Sequence, residues 1–168
     1  MNTAEHIVNL FEKSIELKRK SIVLAPVIAE AAALLTASLV RGNKILICGN
    51  GGSAADAQHM AAELVNRFES ERPGLAAIAL TTDSSALTSI GNDSGFERVF
   101  ARQVEAIGRT GDVLVAITTS GESANLRAAV ATARDRGIAV VALTGRDGGA
   151  IGRLCGAEDC EIRVPGHN

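Results

Sequence analysis

Aromatic side chains are nearly missing from this chain of 168 residues: they make up 2%, with four Phe, no Trp and no Tyr. The core must then be built from Ala, Val, Ile and Leu, which suits a parallel sheet covered by helices. The same lack excludes recognition of single-stranded nucleic acid by base stacking. A basic patch is missing too, because 17 Lys and Arg are scattered among 19 Asp and Glu, for a formal net charge of -2. Nucleic acid is therefore not an expected partner. Residues 1–20 carry charges throughout, and that segment holds no apolar run of the kind a signal peptide or bilayer span needs. A cytoplasmic protein with no membrane association is expected. Cysteine is scarce: Cys48, Cys155 and Cys160 form an odd count without metal-cluster spacing and read as buried or incidental thiols. With three Pro and no long Pro, Ser or Gly linker, nothing divides the chain, and one domain over 1–168 is expected.

What is present is apolar content, 46% of residues, enough for a packed core. Ile7, Leu10, Phe11, Ile15 and Ile22 recur at i, i+3, i+4 spacing, with Glu5, Glu12, Lys13, Glu16, Arg19 and Lys20 on the other faces, which predicts an amphipathic helix. Pro26 suits the first turn of a second helix that runs over 27–40 and stops at Gly42, a natural C-terminal cap. That run is apolar on too many faces for a lone surface helix, so the segment 1–42 is expected to pack against other copies of the chain. Over 43–168, strands at 44–48, 76–80, 113–117, 139–143 and 160–164 alternate with helices at 53–68, 84–90, 95–108 and 123–136. This describes an α/β fold: a doubly wound, flavodoxin-like parallel sheet of about five strands with N-terminal helices. Ligands gather outside the carboxyl ends of such strands, so the loops after Cys48, Leu80, Ile117 and Leu143 share one edge.

The first of these loops is Gly49-Asn50-Gly51-Gly52-Ser53. Its glycines permit positive φ and close ligand approach, while Ser53 is placed to cap the next helix and to offer its hydroxyl and nearby N–H groups to an anion. One helix end contributes roughly 0.3–2 kcal/mol, too little to hold a substrate alone. Thr118, Thr119, Ser120 and Ser123 supply further donors of the kind a phosphate ester takes, although Ser120 and Ser123 also suit plain helix capping. Two such loops on one edge describe a sugar-phosphate site. The string Gly49 to Ala54 also fits the loose dinucleotide pattern G-x-G-x-x-A with Asp83 as ribose acid, but that acid lies far beyond the usual spacing of about 20 residues. A P-loop is excluded, because G-x-x-x-x-G-K-[ST] does not occur.

His59 and Glu63, four apart, share one helical face about one turn beyond the glycine bend. They read as a solvated polar pair or, given the apolar neighbours Met60, Ala61, Ala62 and Leu64, as a buried pair in which Glu63 has a raised pKa and serves as general base. Asn92 and Asp93 make a turn and a helix start. Arg67 and Arg72 serve anions or surface salt bridges, residues 144–149 form a flexible loop with no assigned chemistry, and His6 and His167 are expected in solvent.

Taken together, Cys48 to Ser53, Gln58-His59 with Glu63-Leu64, Arg72-Pro73, Gly91-Asn92-Asp93, Gly111 to Leu114 with Thr119 to Asn125, and Leu143 to Gly149 resemble the sugar isomerase (SIS) domain, and within it the bacterial phosphoheptose isomerases. The resemblance runs over essentially the whole chain. It implies an aldose-ketose isomerase that interconverts sedoheptulose 7-phosphate and D-glycero-D-manno-heptose 7-phosphate through an enediol, in heptose and lipopolysaccharide precursor synthesis. It implies that Asn50, Gly51, Gly52, Asn92 and Asp93 contact the substrate, that Ser53, Thr118, Thr119, Ser120 and Ser123 line its phosphate and hydroxyl groups, and that Glu63 is catalytic. It further implies homotetramers with sites at subunit boundaries, and a zinc ion (Zn2+) on His59 and, with the substrate, Glu63. Two departures stand out. Glu122 occupies a place where the family usually has Asn, adding a negative charge beside the phosphate loop. The sequence also ends at Val164-Pro165-Gly166-His167-Asn168, before the final helix that supplies a Gln and a His in the family, so the zinc set is incomplete and impaired turnover is expected. The same resemblance admits a non-catalytic SIS module that binds a phosphosugar, or a regulatory partner in the manner of the relative that binds the initiator DnaA; the presence of Glu63 argues for the enzyme.

Overall fold

The computed structural model describes residues 2–166. Asn2 starts helix α1 (Thr3–Ser21): its side chain accepts from the Glu5 N–H at 2.9 Å, and the Glu5 carboxylate accepts from the Asn2 N–H at 2.9 Å, so two orphan donors are satisfied together. A 3-10 turn at Ile22–Leu24 leads without a break into α2 (Ala25–Val40). Pro26, which has no N–H to donate, sits in the first turn of α2, where none is needed. Gly42 follows with φ +79°, the left-handed geometry that ends a helix.

The expected alternation then holds. β1 (Ile45–Gly49), α3 (Gly52–Val65), β2 (Ala77–Ala79), α4 (Ser84–Ser94), α5 (Ala101–Ile107), β3 (Val113–Ile117), α6 (Ala124–Asp135), β4 (Ala139–Thr144), α7 (Gly149–Leu154) and β5 (Cys160–Arg163) follow in order. All five strands are parallel in the order β2-β1-β3-β4-β5, the flavodoxin-like order. Three local expectations need correction. The helix at 95–108 is split, because Gly95 at φ +86° closes α4 and a 3-10 turn at Phe96–Arg98 precedes α5. Asn92 and Asp93 lie in the last turn of α4 rather than in a separate turn. The loop at 144–149 opens a six-residue helix, α7, too short for hydrophobic periodicity to register.

Alternate side chains of β1, β3 and β4 feed two cores. Leu46, Cys48, Leu114, Ala116, Val140 and Ala142 pack with Leu126, Val130 and Ile151 on the face covered by α5, α6 and α7. Ile45, Ile47, Val113, Val115 and Val141 pack with Ala31, Ala57 and Ala61 on the face covered by α2 and α3. At the edge where the strands begin, buried Asp112 accepts from the Lys44 N–H at 3.0 Å, from Lys44 Nζ at 2.6 Å and from the Arg109 N–H at 2.8 Å, which fastens the start of β1 to that of β3.

The N-terminal helices are covered little by their own chain. α1 has no buried residue, α2 buries Ala31 and Ser38, and Leu10, Phe11, Ile22, Val23 and Ile28 are exposed. The run Thr3–Val40 holds an 18-residue window of mean hydropathy 2.0, 11% of it buried, and is long and apolar enough to cross a membrane by length and composition alone. The expectation of no membrane association, drawn from residues 1–20, does not extend to this run.

The cysteines are free, and the thiols are held protonated. Burial pushes Cys48 up to about 12 and Cys155 up to about 11, and raises Cys160. The unfolded chain ionises Cys48 near its ordinary 9.0, while the folded strand keeps the proton to about 12, so the unfolded state loses its proton first and stability falls as pH rises through that window. Urea midpoints measured across this range are expected to fall more steeply for the natural chain than for Cys48→Ala; parallel slopes would show that β1 does not hold the thiol protonated.

Candidate active site

β1 and β3 are neighbours, and the helices that follow them, α3 and α6, leave on opposite faces of the sheet. The crevice between their first turns is where a doubly wound sheet takes ligand. Gly49 is required by packing, since a Cβ there would lie 2.5 Å from the Ser53 carbonyl oxygen. Of the three glycines in this loop only Gly51 has positive φ, +56°, and it is Gly51 that caps α3. Ser53 is therefore not the cap expected of it. It sits inside the first turn with its N–H bonded to the Asn50 carbonyl at 3.0 Å.

Ser53 instead lines a cavity of ≈ 250 Å³ together with Asp56 of α3, Thr118 and Thr119 after β3, and Thr144 and Gly145 after β4. Both crossovers thus meet one space. Buried Thr118 accepts from the Gly121 N–H at 3.2 Å through Oγ1, and Ser120 Oγ accepts from the Glu122 N–H at 3.2 Å, which curl the loop. Gly121 has φ +69°, and a Cβ on it would lie 1.9 Å from the Gly148 carbonyl oxygen. Among the described residues, no protein acceptor takes the N–H groups of Thr119, Ser120, Ser123 or Ala124. Ser123 holds the N-cap position of α6 without making a side-chain cap bond, so plain capping does not account for it. These donors lie at or beside the positive end of α6 and suit an anion.

His59 and Glu63 stand farther off than expected. They lie seven and eleven residues past Gly52, which places Glu63 about 16 Å along α3 rather than one turn beyond the bend. His59 Nε2 is 3.3 Å from Glu63 Oε1, with the side chains 76% and 38% exposed. The burial expected around this pair is absent in a single chain, where it is the solvated pair of the alternative reading. The pair lines a second, shallower cavity of ≈ 410 Å³ with Asp56, Met60, Leu64, Phe68 and Arg72. Asp56 borders both cavities. Arg72 donates to the carbonyls of Leu64 at 2.9 Å and Glu63 at 2.7 Å, holding the carbonyl end of the helix that carries Glu63, whereas Arg67 pairs with Glu71 on the surface at 3.0 Å.

The remaining sites resolve individually. Asn92 Nδ2 donates to Asp93 Oδ1 at 2.8 Å, and neither residue lines the cavity within one chain. Asp83 accepts from the Ala86 N–H at 2.9 Å as the cap of α4, so the ribose acid of the dinucleotide reading is engaged elsewhere. Glu122 accepts from the Ala150 N–H at 2.9 Å and faces Arg153 at 3.4 Å, so its charge is taken up at the start of α7. His6 is exposed, and His167 lies outside the described residues. Sequence reasoning left Asp56 and Asn125 out of the site. Asn125 exchanges two amide hydrogen bonds with Asn50, at 2.9 and 2.8 Å. Its signal in the sequence was an Asn placed in the first turn of a helix, where that residue competes with the backbone for bonds.

Zinc meets too few donors. His59 and Glu63 offer two, and among the described residues no three His, Cys, Asp or Glu come together. A catalytic zinc takes three protein ligands, so these residues of one chain do not by themselves fit it.

Comparison with known proteins agrees with this geometry. The family model for the SIS domain matches residues 11–145. The phosphoheptose isomerase of Alkalilimnicola ehrlichii is 55% identical over 166 residues, 98% of this chain and 85% of its own length. The solved phosphoheptose isomerase of Francisella tularensis has a TM-score of 0.97 at 46% identity, over 100% of this chain and 88% of that one. GmhA of Neisseria gonorrhoeae, also a phosphoheptose isomerase, has a TM-score of 0.94 at 49% identity, over 99% and 88%. These relatives carry the name of an enzyme, which favours catalysis over a non-catalytic binding module. A flavodoxin-like sheet with two anion-suited crossovers, similar throughout to such enzymes, means that the chain belongs to the SIS-domain phosphoheptose isomerase family of aldose-ketose isomerases.

Proposed function

We propose that this protein interconverts sedoheptulose 7-phosphate and D-glycero-D-manno-heptose 7-phosphate in the cytoplasm, for heptose and lipopolysaccharide precursor synthesis. The observation that carries this reading is the cavity walled by α3 and the loop after β3, which Thr118 and Thr119 line, in the same loop whose Thr119, Ser120, Ser123 and Ala124 N–H groups have no protein acceptor among the described residues and suit an anion. Phosphate is the handle: its fixed grip orients the carbonyl end of the sugar, so that binding energy at one end lowers the barrier at the other. Ser53, Thr118, Thr119, Ser120 and Ser123 line the phosphate and nearby hydroxyls, and Asn50, Gly51, Gly52, Asn92 and Asp93 contact the sugar. Glu63 takes a proton from C1 of the ketose and returns it to C2 of the aldose, through a cis-enediol, as protons exchange between the two oxygens. Three free thiols accord with a reducing compartment.

Two observations support a site completed at a boundary between copies. Glu63 is about 16 Å along α3 from the phosphate-side bend, and Asn92 and Asp93 lie off the cavity. The uncovered apolar surface of α1 and α2 is of the kind that packs against further copies, as in a homotetramer. A zinc ion would take His59 and Glu63 from this chain and its other ligands from elsewhere, and would polarise the substrate oxygens as a Lewis acid.

Three measurements test this reading. With sedoheptulose 7-phosphate, Glu63→Gln is expected to lower kcat by roughly 10²–10⁴-fold, and equal rates for the two proteins would remove Glu63 from the mechanism. In light scattering at micromolar concentration the chain should run as an oligomer, and a compact monomer contradicts that. Co-expressed Glu63→Gln and Gly121→Ala chains should form mixed oligomers with activity that neither has alone; absence of recovery would assign base and phosphate loop to the same chain.

A further inference from the structure

Asn125 is 3% exposed and stands in the first turn of α6. The Leu126 N–H donates to its side chain at 3.0 Å, and an N–H can only donate to an acceptor, so the backbone dictates which end of this amide is Oδ1. Asn50 is then dictated in turn. Its Nδ2 donates to Asn125 Oδ1 at 2.9 Å, and its Oδ1 accepts from Asn125 Nδ2 at 2.8 Å. The first turn of α6 therefore sets the orientation of a side chain in the β1–α3 loop.

The same arrangement has a second effect. By accepting from the Leu126 N–H, Asn125 satisfies a helix-start donor that the N-cap hydroxyl would otherwise take, and Ser123 makes no cap bond. Its hydroxyl stays available to a ligand. On its far side the phosphate loop is held backbone to backbone: a Cβ on Gly149 would lie 2.5 Å from the Ser120 carbonyl oxygen, and one on Gly145 2.8 Å from that of Thr119. Held there, the loop passes what it binds across the crevice through the Asn50–Asn125 pair.

We propose that Asn125 is a positioning residue that couples the grip on phosphate to the placement of Asn50 against the sugar, while touching neither. This rests on the isomerase reading given above. An anion held by Thr119, Ser120 and Ser123 orders the first turn of α6, and the amide pair carries that order to the β1–α3 loop. A pair that only satisfied a buried amide would affect stability and leave kcat and KM alone.

The test is a double-mutant cycle of Asn50→Ala and Asn125→Ala, read by kcat and KM, by thermal midpoint and by calorimetric binding of inorganic phosphate. Each single variant is expected to lose roughly ten- to a hundred-fold in kcat/KM, and the double variant no more than the worse single one. Asn50→Ala, although outside the phosphate loop, should weaken phosphate binding about tenfold, because coupling between sites is reciprocal. If Asn125→Ala does not fold, Asn125→Asp replaces it, since it keeps the acceptor for Leu126 and removes the donor to Asn50; its loss should vanish in the Asn50→Ala background. Additive losses, unchanged phosphate affinity in Asn50→Ala, or a lowered midpoint with normal kcat and KM would each overturn the coupling. Turnover by the natural chain is measured alongside: if it is absent the isomerase reading fails, and phosphate binding by the natural and Asn50→Ala chains still decides the coupling.

Discussion

The ligand edge depends on one topological constraint: β1 and β3 pair directly, while the crossovers that leave them go to opposite faces of the sheet. Right-handed connections make this reversal unavoidable where the winding changes direction. Two helix starts then flank one crevice, with unbonded N–H groups at the start of α6 and with Ser53 and Asp56 of α3 on the wall of the cavity. Close backbone approach does the rest. Gly49 lets the first turn of α3 lie against the end of β1, and Gly121 lets the phosphate loop lie against Gly148, so neither loop can shift outward at its root. The crevice is fixed by backbone packing, and side chains need only furnish it.

This division explains what was legible beforehand. The strand at 113–117 was placed to the residue, because a central parallel strand is apolar on both faces and reads as an unbroken run. The hydroxyls of Thr118 to Ser123 were legible for a related reason, since nothing in a strand or helix interior calls for such a run. Ser53 was misassigned as a cap because Gly51 at φ +56° takes that position, a backbone choice composition does not reveal. The reach of α4 over the polar Asn92 and Asp93 and the six-residue α7 offer no apolar periodicity to read. Asn125 shows in the sequence only as an Asn in the first turn of a helix; its partner lies 75 positions away, which no local pattern reveals.

Glu122 shows how the fold absorbs a charge that composition alone would mark as unfavourable. A carboxylate beside a phosphate loop repels the ligand if it points inward. Here the loop's own contact with α7 offers it the Ala150 N–H and Arg153, a donor and a cation together. The side chain is 55% exposed, so water and salt screen what field remains. The departure from Asn thus alters the clamp between two loops and leaves the anion-facing side of the phosphate loop to its backbone donors.

The two ends of the molecule make different demands. Where the strands begin, Asp112 is surrounded by donors of its own chain and the structure is complete. On the side carrying α1, α2 and the outer face of α3, it is not: apolar side chains face solvent, and Glu63 remains partly exposed above a shallow hollow. A carboxylate in that setting is hydrated, and a hydrated base is poorly matched to abstracting a proton from carbon. The surface that would bury the apolar helices and the surface that would dry Glu63 are adjacent, since α2 and α3 cover the same face of the sheet. On the proposed reading one association event serves both needs. Catalytic competence is then a property of the assembly, while the phosphate grip and its amide link to Asn50 are built within each chain.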